Sequence, residues 1–263
     1  AARKQNVPLS KLLGGTRAEI PSGVSIGIQE SVDQLVEKIA KELAAGYQRI
    51  KIKVKPGWAL DVVAAVRARF GGVPLMVDAN AAYTVADAAH LARLDAAGLM
   101  MIEQPLDYDD IRDHAELQRR LATPICLDES IHSVHAAADA LDLGACRILN
   151  IKPGRVGGHG PSIRLHDLCA ARGVPVWHGG MLESGIGRAH NIHLASLPNF
   201  SLPGDIAASR RYFAPDLIEP GIEVSATGTV AVPTGAGIGV NVDWERVEKA
   251  TVEKLELRPT ADC

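Results

Sequence analysis

The sequence lacks the features that would commit it to a membrane, to nucleic acid or to an oxidising compartment. No apolar run approaches the roughly 18 residues that a membrane-spanning helix needs. The net charge is −3 over 263 residues, with both signs mixed along the chain, so no basic surface is available for nucleic acid or an anionic membrane. The four cysteines have no C-x-x-C spacing, which favours buried thiols over a disulfide framework or a zinc site. We therefore expect a cytoplasmic protein with neither nucleic acid nor membrane as a partner.

Phosphate-binding motifs and internal linkers are missing as well. The glycine-rich run at 153–158 has neither the G-x-G-x-x-G nor the G-x-x-x-x-G-K-[ST] spacing, and we interpret it as a tight turn between a strand and a helix. No linker or low-complexity segment interrupts residues 21–206. A chain of 263 residues without an internal linker suits one α/β barrel, which ordinarily takes about 250 residues.

What the sequence does contain is a repeat of charged residues. Successive gaps of 25, 25, 25 and 24 residues separate five positions: Lys53, Asp78, Glu103, Asp128 and Lys152. Each follows a short apolar run and precedes a helix-like segment, and one strand, one helix and two loops together take about 25 residues. The repeat predicts one charged group at the carboxyl end of each of five successive parallel strands. In a closed (β/α) barrel those ends converge on a single mouth, where such barrels build their active sites.

Two alternatives compete with a barrel mouth. Lys51, Lys53 and Lys55 alternate with aliphatic residues, which puts all three lysines on one face of a strand. A surface edge strand would show the same alternation, and an aspartate after a strand often caps the following helix. Three carboxylates at three successive strand ends are much harder to explain by capping. We therefore favour lysines that point into the barrel and carboxylates at its mouth.

The residue types at these positions suit a metal-assisted reaction with two bases. Three carboxylates without a histidine or a cysteine favour Mg²⁺ or Mn²⁺ over zinc or copper. The lysines on either side are candidate bases, although a lysine with its ordinary pKa of about 10.4 is a poor base at neutral pH. Burial, a metal ion and a neighbouring ammonium group all lower a lysine pKa, and Lys51 is the candidate neighbour of Lys53.

The apolar periodicity and the turn residues predict the remaining elements. The first barrel strand is predicted at 21–28, and a short last strand at 200–202. Helices are predicted at 1–13, where only the end of one is present, and at 31–45, 58–70, 83–97, 109–121, 132–143, 161–172 and 187–196.

These elements divide the chain into a barrel and two flanking segments. The barrel covers residues 21–209, and residues 1–20 are the end of a helix and a linker. Residues 210–263 are rich in proline and glycine and lose the barrel period. We expect them to form a short β-rich tail, over 221–232 and on through 252–257, that packs on something outside the barrel.

Five further residues are candidates for substrate binding at the mouth: Ser25, Gly180, Met181, Glu183 and Asp205. Glycines in the loop at 179–185 let a ligand approach the backbone closely. Ser25 either faces the mouth or fills inward space, and Glu183 either lines the pocket or caps the next helix. The residues alone leave both alternatives open.

Seven motifs in this chain resemble the enolase superfamily, in its muconate-lactonizing-enzyme subgroup. They agree with it in order and spacing: RIKIKVKPGW (49–58), VDAN (77–80), IEQPL (102–106), CLDES (126–130), NIKPGRVGG (150–158), WHGGMLESGIGR (177–188) and LPGDI (202–206). Within the subgroup they are most similar to the N-acylamino-acid (N-succinylamino-acid) racemases, many of which are also o-succinylbenzoate synthases. The resemblance implies an α/β fold, a (β/α)7β-type modified TIM barrel.

The resemblance also implies roles for the charged residues. Asp78, Glu103 and Asp128 would bind one Mg²⁺, for which Mn²⁺ or Co²⁺ substitutes. Lys53 and Lys152 would form the acid/base pair on opposite faces of a small carboxylate substrate. The supporting residues would be Lys51, Asn80, Gln104 and Glu129.

The implied reaction is abstraction of the proton α to a carboxylate, giving an ene-diolate. Racemisation of N-acylamino acids by the two lysines fits the motifs best. Dehydration to o-succinylbenzoate and muconate cycloisomerisation are alternatives that use the same groups. Dipeptide epimerisation fits less well, because those relatives tend to carry Asp-x-Asp where this chain has Asp205-Ile206-Ala207.

The resemblance departs at the N-terminus, where the family begins with an α+β capping domain whose loops close over the barrel mouth. That domain is largely absent from this sequence, which starts at its last helix. We expect a missing N-terminal segment to carry it, the tail after residue 210 to pack on it, and the protein to form a homo-oligomer. A catalytically inert barrel fragment is the alternative of another class.

Overall fold

The structure is a computed structural model that describes residues 1–256, so residue 257 of the predicted tail strand and Cys263 lie outside it. The strands are β1 Glu19–Pro21, β2 Gly23–Ile26, β3 Arg49–Lys53, β4 Leu75–Asp78, β5 Ile102–Glu103, β6 Ile125–Leu127, β7 Ile148–Ile151, β8 Val176–His178, β9 Ile218–Glu219, β10 Thr229–Ala231 and β11 Asn241–Val242. The α-helices are α1 Leu9–Leu13, α2 Val32–Ala44, α3 Ala59–Phe70, α4 Ala88–Ala92, α5 Ile111–Arg120, α6 Val134–Asp142, α7 Pro153–Val156, α8 His159–Ala171, α9 Gly185–Ala195 and α10 Trp244–Ala250.

Seven parallel strands, β2 to β8, form one sheet in sequence order. Helices follow the strands along the chain, so the βα repeat predicted from the charged residues is confirmed. The register sets Lys53 beside Asp78 and Asp78 beside Glu103 on neighbouring strands. The strand ends therefore bring these charged residues to one edge of the sheet, as the sequence spacing predicts.

The predicted eighth strand at 200–202 is wrong, and the gap between β8 and β2 is spanned by an irregular segment. Phe200 makes a single bridge to Val176, and Gly204 makes one to Ser22. Two backbone hydrogen bonds join Gly204 to the β2 side of the gap. Its carbonyl accepts from the Gly23 N–H at 2.7 Å, and its N–H donates to the Pro21 carbonyl at 3.2 Å. The sequence explains the interruption, because Pro203 has no N–H to donate to a ladder.

Six of the predicted helices agree with the structure to within two residues at each end, and two do not. The helix predicted at 83–97 is split into α4 and two 3₁₀ turns, Val85–Asp87 and Arg93–Ala97. It begins with a capping box in which the Thr84 backbone N–H donates to Asp87 at 2.9 Å. The helix predicted at 1–13 is confined to α1, which starts after Pro8, as proline favours at a helix start.

The strand faces separate an outer core from an inner one. Ile50 and Ile52 of β3 pack in the large cluster with the helices, whereas Lys51 between them is buried inside the barrel. The barrel floor is a separate small cluster of Met76, Met101, Cys126, Ile148 and Trp177. This period of two confirms that the lysine face of β3 points inward. The three described cysteines are buried free thiols, as the sequence predicts.

The tail packs on the barrel's own outer surface. Strand β10 pairs with β1 and β11 pairs with β9, both antiparallel. Apolar tail residues share a cluster with Ile192 of α9 and Ile20 of β1. The expectation of a β-rich tail is wrong beyond β11, where α10 follows and residues 251–256 contain no strand. Contact with a capping domain stays a prediction. Among residues 1–256 no helix is long and apolar enough to span a membrane.

Candidate active site

A cavity of about 360 Å³ opens at the carboxyl ends of the barrel strands. Its lining residues are Ser25, Lys51, Lys53, Lys152, Gly180, Leu182, Glu183, Arg188, Asp205 and Tyr212. Four of the five predicted substrate-binding residues are therefore brought together with both candidate bases. The fifth, Met181, is not among the lining residues, and its side chain is exposed.

The three predicted metal ligands lie buried at this mouth, and each forms an ion pair with a lysine ammonium group. Lys53 lies 2.6 Å from Asp78, and Lys152 lies 2.6 Å from Asp128. Glu103 accepts from Lys51 at 2.9 Å and, through its other oxygen, from the Asn150 amide at 2.7 Å. The acids are thus compensated by ammonium groups that sit on different sides of the barrel.

Lys51 is the central cation of this network. Its ammonium lies 2.8 Å from Asp205, 2.9 Å from Glu103 and 3.1 Å from Asp78. Burial lowers the pKa of Lys51, but these three carboxylates outweigh burial and raise the pKa well above its usual value. Lys51 is therefore held as a positive charge next to Lys53, and its support of Lys53 in a reaction stays a prediction.

Glu103 is fully buried, and burial disfavours its negative charge. Burial is the largest cause that raises its pKa well above the usual value. Lys51 opposes that effect, while Asp78 and Asp128 add to it as like charges. The three carboxylates are thus close enough for their charges to interact.

The fit of a divalent ion can be judged from the donor set. Within residues 1–256 no group of three or more acidic, histidine or cysteine side chains is arranged to hold a metal ion, because the carboxylates are turned toward lysines. Yet the donors are three buried carboxylates on neighbouring strands, all oxygen, which is the set that a hard divalent ion prefers. The residues present fit Mg²⁺, and the lysine contacts must open to admit it.

Two predicted supporting residues orient Lys53. Asn80 accepts a hydrogen bond from the Lys53 ammonium and donates to Glu129 at 3.0 Å. Because the Glu129 carboxylate can only accept, it fixes the Asn80 amide with its oxygen toward Lys53. Asn80 reaches this place with a left-handed backbone, φ +42°, in which its N–H donates to Asp78 at 3.1 Å.

Gln104 supports the third carboxylate through the backbone. Its side-chain oxygen accepts from the Asp128 N–H at 3.0 Å and from the Ser130 N–H at 3.3 Å. Its amide nitrogen donates to the Ser130 hydroxyl at 2.7 Å. Gln104, directly after β5, therefore holds the end of β6 and the direction in which Asp128 leaves it.

Sequence reasoning missed Arg155, although a signal was available. Arg155 pairs with the Asp128 carboxylate and donates to the carbonyl groups of Ile131 at 2.7 Å and Asn150 at 2.6 Å. The run that we interpreted as a tight turn is the short helix α7, which returns Arg155 toward the strand end that carries Lys152. A basic residue three positions after a candidate base was the signal.

Arg49 was also missed, and it fixes Asp205. The buried Arg49 guanidinium lies 2.8 Å from the Asp205 carboxylate and donates to the Pro203 carbonyl at 2.8 Å. It lies over the Trp177 ring at 5.0 Å. Burial raises the pKa of Asp205, but Arg49 and Lys51 hold it well below its usual range. Arg49 shares the alternating face of β3 with Lys51 and Lys53, and that alternation was the available signal.

Lys53 and Lys152 reach the cavity from β3 and from the end of β7, four strands apart in the sheet. Their side chains are 29% and 14% exposed, against 4% for Lys51. These two lysines are therefore the ones that a bound molecule can touch from different sides. Glu183 lines the cavity, and its carboxylate is held by Asn191 at 2.8 Å and by the Met181 N–H at 3.0 Å, so it braces the loop and does not cap a helix.

The chain is similar in sequence to o-succinylbenzoate synthases and to N-succinylamino acid racemases. The chain is 59% identical over 250 residues to an o-succinylbenzoate synthase of Geobacillus kaustophilus, covering 95% of this chain and 66% of that one. It is 55% identical over 244 residues to an N-succinylamino acid racemase of Amycolatopsis sp, covering 92% and 66%. The chain therefore spans about two thirds of the length of these relatives.

Structure and family comparisons agree with the motifs. The solved structure of a racemase from Streptomyces coelicolor A3(2) with bound magnesium has a TM-score of 0.81 and 27% identity, covering 94% of this chain and 68% of that one. Residues 34–247 match the family described as "Enolase C-terminal domain-like". The resemblance and the modified TIM-barrel fold are confirmed: the chain belongs to the enolase C-terminal domain-like family.

Proposed function

We propose that this barrel abstracts the proton α to a carboxylate and that its main reaction is racemisation of N-succinylamino acids. The observation that carries the proposal is the placement of Lys53 and Lys152. They line one cavity from β3 and from the end of β7, and each contacts a different carboxylate of the buried acidic cluster. A pair of bases that reach one carbon from two sides can remove a proton from one face and return one to the other.

The chemistry explains why so many charges surround the cavity. The α-proton of an N-acylamino acid is only weakly acidic, and its removal adds a second negative charge to the carboxylate. A divalent ion held by Asp78, Glu103 and Asp128 would stabilise that added charge when bound. Mg²⁺ is the ion we propose, with Mn²⁺ or Co²⁺ as substitutes.

The protein's own groups would divide the remaining work. The neutral form of one lysine takes the α-proton, and the ammonium form of the other donates a proton to the opposite face, with the roles exchanged for the other enantiomer. Asn80 directs Lys53, and Lys51 is the charged neighbour beside it. Arg155 and Gln104 hold Asp128, the carboxylate that Lys152 contacts.

A second candidate function is dehydration to o-succinylbenzoate, which the 59% identical Geobacillus relative favours. The same two lysines serve it, one as the base and the other as a cation that stabilises the intermediate. The chain spans 66% of that relative. We propose that the capping domain of the family contributes to the choice between the two reactions and that the protein is a cytoplasmic homo-oligomer.

Proton exchange tests the proposal directly. Both enantiomers of N-succinylphenylalanine are incubated with the protein and Mg²⁺ in D₂O, and the α-proton signal is followed by NMR. We expect exchange that EDTA abolishes, together with slow or absent racemisation in Lys53→Ala and Lys152→Ala. Racemisation that continues normally in either variant would rule out the two-base mechanism. A parallel assay for the new aromatic absorbance of o-succinylbenzoate ranks the two candidate reactions.

A further inference from the structure

Arg188 is a cavity residue to which neither the sequence nor the proposed reaction gives a role. It lies on α9 and is only 3% exposed, yet it lines the cavity that holds both candidate bases. A guanidinium group stays charged at all ordinary pH values, so Arg188 brings a permanent buried positive charge to the wall of this cavity.

Three contacts hold the Arg188 guanidinium in place, and none of them is an anion. It donates to the backbone carbonyl of Ala207 and, at 2.8 Å, to that of Glu183. It also lies over the ring of Tyr212 at 5.3 Å. These two hydrogen bonds use two of the five N–H donors of an arginine, and the buried Nε–H has no partner among residues 1–256.

Within the same described residues, Arg188 also has no ion pair. The nearby Glu183 carboxylate is already engaged by Asn191 and by a backbone N–H. Burial lowers the pKa of Arg188, and Glu183 and Asp216 only partly oppose that effect. A buried cation with unsatisfied donors is costly unless an anion compensates it. The arrangement therefore suits an anion that arrives from the cavity.

We infer that Arg188 binds the distal carboxylate of a dicarboxylic substrate. The inference rests on the proposed function, because N-succinylamino acids and o-succinylbenzoate both carry a free succinyl carboxylate beyond the one next to the reacting carbon. The lysine end of the cavity holds the reacting carboxylate, and the arginine end holds the succinyl carboxylate. Arginine suits this role because its fork of N–H donors matches the two oxygens of a carboxylate.

A purely structural role for Arg188 predicts a different result. If the side chain only joins α9 to residues 183 and 207, its removal should damage every substrate alike. If it binds the succinyl carboxylate, its removal should matter only for substrates that carry that charge. The comparison therefore needs two substrates of the same shape, an N-succinylamino acid and the same compound with the succinyl carboxylate converted to a primary amide.

The variants are Arg188→Met, which removes the charge, and Arg188→Lys, which keeps it without the fork. Arg172→Met is the matched control, since Arg172 lies on the outer surface with an ion pair to Asp142. We expect the wild type and the control to prefer the acid over the amide by roughly tenfold or more in kcat/KM. Arg188→Met should reduce that ratio to about one, mainly through KM for the acid, and Arg188→Lys should give an intermediate ratio.

Equal losses for both substrates, a preserved preference in Arg188→Met, or no preference in the wild type would each overturn the inference. Calorimetric binding of N-succinylglycine and its terminal amide gives the same comparison without turnover. A wild type that exchanges no α-proton but binds the acid more tightly through Arg188 would contradict the proposed function and retain the anion site. A wild type that exchanges the α-proton but does not discriminate between the acid and the amide would support the proposed function and contradict the anion site. Thermal melting of each variant identifies a failure to fold, in which case Arg188→Lys decides.

Discussion

Replacing Lys51 by methionine should destabilise the protein strongly while changing the shape of the barrel interior very little. The Lys51 ammonium contacts the carboxylates of Asp205, Glu103 and Asp78 at 2.8, 2.9 and 3.1 Å, and the side chain is 4% exposed. Methionine has a similar length and keeps an apolar stem, but it leaves these buried carboxylates without their shared cation.

The size of the effect follows from what each carboxylate retains. Breaking a buried ion pair costs about 3–5 kcal/mol, because the partner is left as an uncompensated charge. Asp78 keeps Lys53, and Asp205 keeps Arg49, at 2.6 and 2.8 Å. Among residues 1–256, Glu103 keeps the Asn150 amide donor at 2.7 Å but no cation, so it bears most of the loss. We expect Lys51→Met to lower the free energy of unfolding by about 3 kcal/mol.

The pH dependence gives the charge mechanism a sign. The pKa of Glu103 is already raised by burial, and losing Lys51 raises it further. An acid whose pKa is raised in the folded state costs stability as the pH rises above its unfolded value of about 4.3. The deficit of Lys51→Met relative to the wild type should therefore grow as the pH rises above the pKa of Glu103 in the wild type, because the variant goes on losing stability there and the wild type does not. Urea unfolding followed by tryptophan fluorescence measures it.

Lys55→Met is the matched control, because Lys55 lies just past the end of β3, on the same alternating face, and is exposed. It should cost less than about 0.5 kcal/mol. If Lys51→Met were within about 1 kcal/mol of the wild type, or if its deficit did not change with pH, charge compensation by Lys51 would be refuted.

Two further changes test the barrel interior and its pH response. Gly23→Ala should lower the free energy of unfolding in urea by about 1–3 kcal/mol, because a Cβ there would lie 2.5 Å from the locked Arg49 guanidinium. Gly27→Ala is the control, because a Cβ at Gly27 has nothing within 4 Å. Equal losses of stability in the two variants would contradict this explanation. His178→Gln should flatten the pH dependence of stability. Burial lowers the pKa of His178 to about 4. Because the unfolded state takes up the proton first, the wild type loses up to about 3 kcal/mol of stability as the pH falls from about 6.5 to about 4. Equal slopes of stability against pH in the two proteins would exclude this role.

The repeating part of the fold was predictable because each βα unit spans about the same number of residues and ends its strand with a charged residue. Alternation in residues 49–55 identifies the inward face of β3. The aliphatic residues of this alternation pack against the helices, which leaves the basic residues on the inward face. The closing segment was not predictable from its apolar run at 200–202. Pro203 and Gly204 replace a ladder by single bridges, and whether such a run pairs depends on distant residues such as Ser22.

The site divides in the same way. Residues at the ends of strands, such as Asp78 and Lys152, can be identified from their regular spacing along the sequence. Arg188 does not, because nothing in its neighbours shows that a distant segment will bury it. The alternation places Arg49 on the inward face of β3, but it does not identify Asp205 as its partner. Arg188 acquires its place from the Ala207 carbonyl, on the segment that follows the closing bridges. Long-range contacts of this kind leave no local pattern in one sequence.

Depth in the barrel explains why lysines of one alternating face have different roles. Lys55 is exposed, Lys53 is 29% exposed at the mouth, and Lys51 is 4% exposed below it. Both lysines line the cavity, and in the proposed reaction a substrate at the mouth exchanges its proton with the more exposed Lys53. Because three carboxylates keep Lys51 charged, the deeper lysine cannot serve as a base at neutral pH. It can only act on Lys53 through its charge, so the order of the lysines along β3 separates fold stability from proton transfer.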